Sequence, residues 1–151
     1  MKPFTFSLER MRGYKCQLLE TEKNALQALN KRLADIEEKI RLCQVFQKVK
    51  REELHNKQLK GALMRELDEC RFYVENTGRQ LEALKNEREL AVMEVERQRK
   101  VVLKASQEVS SLDKLEEKQL DDYRYLEARY NEKVILEHVT NQLIFPKESL
   151  H

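Results

Sequence analysis

Between Pro3 and Pro146 the chain contains no proline, and Gly13, Gly61 and Gly78 are its only glycines. A many-stranded fold of this length turns repeatedly and needs such residues at its turns. A stretch so free of breakers is suited to long helices, because proline is the residue that both removes a helical hydrogen bond and clashes with the preceding turn. The apolar residues agree. Leu19, Leu26, Leu33 and Ile40 recur every seven residues, and Leu29, Ile36 and Cys43 each follow three residues behind a member of that series. Alternating steps of three and four mark the seam of a coiled coil. Leu81, Leu84, Arg88, Ala91, Val95, Gln98, Val102, Ala105, Val109 and Leu112 repeat the pattern.

Charged residues make up 37% of the 151 residues, a level associated with disorder when apolar residues lack a period. Here 40% are hydrophobic and the period is present, so helices with a narrow apolar stripe are expected. Their outer faces offer i,i+4 pairs at Asp35–Lys39, Glu37–Arg41, Glu53–Lys57 and Glu96–Lys100. A net charge of +2 is too small to imply nucleic acid. Lys48, Lys50 and Arg51, the densest basic group, read as a solvated helix face. No apolar run is long enough for a membrane span or a signal-peptide core.

Catalytic and metal signatures are missing from the sequence. It has no phosphate-binding glycine loop, nucleophile elbow or HExxH helix. Cys16, Cys43 and Cys70 read as small seam or surface residues, with no CxxC, and His55, His138 and His151 are scattered. Glu37-Glu38, Glu116-Glu117 and Asp121-Asp122 are neighbours that point apart on a helix. The expectation is a non-enzymatic protein without cofactor or metal.

The polar stretch His55–Gly61 is the place for a reversal, with Gly61 as helix cap or turn. The fold class expected is therefore all-α: two long helices in an antiparallel coiled-coil hairpin, the second longer. The whole chain, 1–151, is read as one such hairpin, with helices over about 5–56 and 62–143, a turn over about 56–62 and a short tail over 144–151. Thr5 or Ser7 is expected to cap the first helix, and Pro146 to close the second. Gly78 is expected to lie inside one continuous second helix. Two registers fit. Partners whose numbers total 117 give Leu26–Ala91, Leu33–Leu84, Ile36–Leu81, Cys43–Val74 and Leu54–Leu63, whereas a total of 124 centres the turn on Ala62; the first is preferred because its midpoint falls in the polar stretch.

In the 117 register the second helix outruns the first by roughly 30 residues, about 45 Å at 1.5 Å per residue. This overhang carries Leu112, Leu115, Tyr123, Leu126, Tyr130 and Val134, a stripe with no expected partner within the chain. An unpaired apolar seam of that kind suits docking by another chain. Phe46 and Val49 fall off the seam near the turn. With Leu42, Phe72 and Tyr73 they form either a broadened core or a second docking patch.

Two end motifs add a resemblance. Phe4-Thr5-Phe6-Ser7-Leu8-Glu9-Arg10 resembles the Phe-x-Phe-x-Leu-x-Arg/Lys opening of the FliJ family of flagellar export proteins. Leu112-Asp113-Lys114-Leu115-Glu116-Glu117-Lys118, followed by Tyr123 and Glu132-Lys133, is similar to that family's C-terminal block. The resemblance spans essentially the whole chain. It implies an antiparallel two-helix stalk like the rotor shaft of rotary ATPases, whose termini enter the hexameric export ATPase. Contact residues there would be Phe4, Phe6, Leu8, Leu112, Leu115, Tyr123, Leu126 and Tyr130. It also implies that the turn end meets the cytosolic domain of the FlhA-type export gate, through Leu42, Phe46 and Tyr73. The family's next aliphatic position falls on Thr77, a departure from its pattern.

The function so implied is a stalk of the flagellar type III export apparatus that stimulates the ATPase and contacts the gate. The family is also credited with escorting export chaperones. Its expected location is cytoplasmic, peripheral to the inner-membrane export apparatus at the flagellar base. Competing readings are the equivalent stalk of a virulence type III secretion system and a self-associating structural coiled coil.

Overall fold

The computed structural model describes residues 2–144, so Pro146, His151 and the expected tail beyond 144 lie outside the described residues. The described chain is all-helical: α1 spans Glu9–Lys60 and α2 spans Met64–Ile144. Packing gathers the chain into two compact units. Glu20–Lys104 forms one, and residues up to Leu19 together with those from Ala105 onward form the other.

In the Glu20–Lys104 unit the chain reverses over residues 61–63. Gly61 ends α1 with φ at 75°, a left-handed conformation in which a side chain would be strained. Leu63 then opens α2 by accepting hydrogen bonds from the amides of Glu66 and Leu67, at 3.0 and 3.2 Å. The reversal thus comes later than the sequence suggested, and α1 continues through Lys60 because His55–Lys60 is polar without being helix-breaking.

The core of this unit is a seam. Ile36, Ile40, Leu81 and Ala91 are buried together, with Leu33, Cys43 and Leu84 packed against them. Cross-helix partners fix the register: Glu37 meets Arg88, numbers totalling 125, and Gln47 reaches Val74, totalling 121. Arg32 meets Glu94 and Gln98 meets Glu22, totalling 126 and 120. These pairs scatter about 124, and the 117 register is not the one adopted. Polar seam residues explain the choice. In the 124 register Gln47 lies opposite Thr77 and its amide donates to the Val74 carbonyl at 3.2 Å. The Gln98 amide likewise donates to the Glu22 carbonyl at 3.0 Å and to the Glu22 carboxylate. In the 117 register Gln47 would face Cys70, Gln98 would face Leu19 and Thr77 would face Ile40. Each buried polar group left without a partner costs about 1–3 kcal/mol.

A cross-link tests the register directly. In a chain with Cys16 and Cys70 replaced by serine, Leu81→Cys places a thiol opposite Cys43, and mild oxidation is expected to close that pair. Val74→Cys, opposite Cys43 in the 117 register, is expected to stay reduced. The reverse outcome on a gel would refute the register.

Several smaller expectations resolve. α2 runs through Gly78 without a break, and a Cβ there would stand 3.3 Å from the Gln47 amide nitrogen, so the glycine suits the close approach. Cys16 is exposed, Cys43 half-buried and Cys70 buried. Among the described residues none of the four expected i,i+4 pairs forms; Glu38, Glu53 and Glu96 pair at i,i+3 with Arg41, Lys50 and Arg99, while Glu37 turns across the seam to Arg88. The Glu38 carboxyl is held below its usual range by hydrogen bonding to Arg41. Such exposed pairs contribute little individually to stability.

Candidate functional site

The unit that brings the chain's start onto α2 contains both end motifs. Residues 2–8 do not join α1; they form a strap. Phe6 is buried, and the Glu9 amide donates back to its carbonyl at 3.2 Å while the Arg12 amide donates to the Leu8 carbonyl at 2.9 Å. Neither Thr5 nor Ser7 therefore caps α1. Burying Phe6 holds this segment in a turn and delays the helix to Glu9.

Arg12 ties the strap down. Its guanidinium lies over the Phe6 ring, 5.4 Å from the centroid, and pairs with Glu9, Glu116 and, at 3.6 Å, Asp113. Lys15 bonds Glu108 at 3.0 Å. Phe4 packs on Tyr123 with centroids 5.6 Å apart, and the Tyr123 hydroxyl donates to the Lys2 carbonyl. Residues whose numbers total about 124 are again neighbours.

The unpartnered stripe is consequently shorter than the sequence suggested. Leu112, Leu115 and Tyr123 are half-buried beneath the strap side of the seam, as is Leu8, and Phe4 is half-buried too. Sliding the register by seven residues brings the N-terminal segment that much further along α2, which is why these positions are covered. Beyond them the helix is bare. Leu126, Tyr130 and Val134 are exposed, and every residue over 128–144 is exposed. Ile135, Leu136, Val139 and Leu143 extend apolar character around the helix.

Tyr123 is also the titratable group whose environment bears on this site. Partial burial, and after it the negative charge of Glu127, push its phenol above the ordinary tyrosine value. A raised pKa means the folded state favours the neutral phenol. The strap contact is thus expected to hold up to the ordinary tyrosine range and to fail as pH rises through the elevated folded value. Absorbance at the phenolate band should contain a component titrating above the ordinary tyrosine value that is lost in Tyr123→Phe; an unchanged profile in that variant above the ordinary value would contradict this.

In the Glu20–Lys104 unit the second candidate patch is present as an exposed group. Leu42, Phe46 and Tyr73 all reach solvent. Phe46 and Tyr73 meet edge to face at 6.1 Å, and Phe72 lies 5.9 Å from Tyr73. The Lys50 ammonium sits over both Phe46 and Tyr73, at 5.6 and 5.0 Å. Val49 is exposed, as its position off the seam implied. Thr77 is only 3% exposed, inside the seam and out of reach of any partner. Sequence reasoning overlooked Arg12 and Gln47, placed Gln98 on the seam without its Glu22 partner, and read Lys50 as a solvated helix face although it lies over two aromatic rings. Glu22, Gln47 and Lys50 stand on the same three-and-four repeat as the leucines, so polar residues in phase with the seam were the available signal.

Among the described residues no group of three or more histidine, cysteine or acidic side chains could hold a metal ion, and no helix is long and apolar enough to cross a membrane. No protein-family model, curated protein or solved structure matches the chain significantly.

Proposed function

We propose that this chain is a member of the FliJ family and acts as a stalk of the flagellar export apparatus, without enzymatic activity of its own. In this reading the unit bearing the strap enters the hexameric export ATPase, and the Leu42–Phe46–Tyr73 patch meets the cytosolic domain of the FlhA-type gate. The protein would work at the cytoplasmic face of the export apparatus, where export chaperones are further partners.

The observation that carries the reading is the bare end of α2, where Leu126, Tyr130 and Val134 stand exposed beyond the strap. Large apolar residues grouped on an exposed helix are characteristic of a docking surface. The two motifs behind the resemblance add support, since Phe4 and Tyr123 touch although they lie at opposite ends of the sequence.

The test is ATP hydrolysis by the export ATPase of the same organism, with and without this protein, at concentrations where the hexamer is incomplete. Stimulation accompanied by more hexamer in light scattering is the expected result. No stimulation, with a dimeric or filamentous mass for this protein alone, would replace the stalk by a self-associating rod.

A further inference from the structure

Three large apolar side chains stand at the chain reversal: Leu59 at the end of α1, Leu63 at the cap and Met64 at the start of α2, each between 67% and 73% exposed. They sit among bases. The sequence has no acid between Glu53 and Glu66, and Lys57, Lys60 and Arg65 all lie in that interval. Across the last turn of α1 and the first turn of α2, these three bases face only Glu66, a net charge of +2. Further back, Glu53 is engaged by Lys50 and Asp68 by Arg71.

Helix stability accounts for part of this arrangement. Lysines in a last turn and an acid in a first turn both suit the helix dipole. Arg65, in the first turn of α2, runs against that rule, and three large apolar side chains held in water gain the fold nothing. We propose that this end of the Glu20–Lys104 unit rests on an anionic lipid surface, with Leu59, Leu63 and Met64 immersed among the headgroups and Lys57, Lys60 and Arg65 drawn to lipid phosphates. Apolar side chains bordered by bases are the pattern of segments that lie in a membrane interface. The surface is separate from the Leu42–Phe46–Tyr73 patch, since Phe46 lies about 21 Å behind Lys60 along α1 at 1.5 Å per residue. It stands whether or not the chain is an export stalk.

Shape and charge decide the occupant. Side chains lean toward the N-terminus of their own helix, so Leu59 leans back along α1 while Met64 leans out past the start of α2, with Leu63 between them. No single helix or sheet of a partner covers side chains that diverge in this way, whereas a bilayer deforms around each of them. A second copy would set one net-positive end against another. Glu53 and Asp68 lie roughly 7–10 Å behind the end, about a Debye length, so lipid phosphates meet the bases first.

The probe is a vesicle of phosphatidylcholine mixed with phosphatidylglycerol, compared with phosphatidylcholine alone. In co-sedimentation the full chain should bind the anionic vesicles at least tenfold more tightly, and less so as salt is raised. Lys57→Gln, Lys60→Gln and Arg65→Gln together should remove that preference. Leu59→Ser, Leu63→Ser and Met64→Ser together should weaken anionic binding at least tenfold with helicity unchanged, because all three side chains are exposed. In a chain whose other cysteines are replaced by alanine, an environment-sensitive dye on Met64→Cys should shift to the blue on anionic vesicles. The same dye on Cys16, exposed in the other unit, should not. Equal binding to the two vesicles, binding to neither, full binding by either triple variant, or a blue shift at Cys16 that position 64 lacks would overturn the proposal. So would tighter binding to soluble polyglutamate than to the vesicles, which would indicate an acidic protein, or self-association that the serine variant abolishes.

Discussion

On the proposed stalk reading, cutting Leu126 and Tyr130 back to alanine is expected to raise the concentration of this protein needed to stimulate the export ATPase by a factor of ten to a thousand. Apolar and aromatic anchors at the centre of an interface commonly cost about 2 kcal/mol each on truncation, and every 1.4 kcal/mol is roughly a factor of ten. Both side chains are exposed, so the same variant should melt within a degree or two of the parent chain. Tyr123 is the wrong residue for this purpose. It holds Phe4 and the Lys2 carbonyl, and its loss would confound a docking defect with a displaced strap. Undiminished stimulation by the Leu126→Ala, Tyr130→Ala chain would remove the bare end of α2 from the function.

Truncating Ile36 to alanine should have the largest effect on folding, about 2–3 kcal/mol in a denaturant titration. Ile36 is only 3% exposed and lies in the cluster with Ile40, Leu81 and Ala91. A two-helix seam has few layers to share such a loss, and folded domains of ordinary stability hold only about 5–15 kcal/mol in all. Leu42→Ala is the control. Its side chain lies off the seam, and a change within about 0.5 kcal/mol is expected. Equal destabilisation by the two substitutions would mean that the stripe through Leu42 is core and that the seam has been misplaced.

The helical class and the single reversal were legible because they depend on features a sequence displays openly: an absence of proline, a repeat of three and four, and one glycine in a polar stretch. The register was not legible from the same repeat, since a heptad pattern is unchanged by a seven-residue slip. Leu33 pairs as acceptably with Leu84 as with Ala91, so the apolar residues alone cannot choose. Gln47, Thr77, Glu22 and Gln98 can choose, because a polar side chain in the seam requires a particular neighbour whereas a leucine accepts many. The strap was hidden for a different reason. Phe4 and Phe6 have no period, and their partners lie more than a hundred residues away, so the coverage of Leu112, Leu115 and Tyr123 depended on a register that the leucines left open. Lys50 was obscured by its type, because only the fold shows that a base in phase with the seam is lying over two aromatic rings.

The hydrogen bond from Tyr123 to the Lys2 carbonyl has a practical bearing on how the protein should be handled. Whatever is joined ahead of Lys2 will sit within reach of the same tyrosine and next to the bare turns of α2. An affinity tag placed there is a poor choice, since it would crowd the surface under study. A small environment-sensitive dye at the same point would instead brighten or dim as that surface fills, giving an optical titration of partner occupancy without any change to Leu126 or Tyr130.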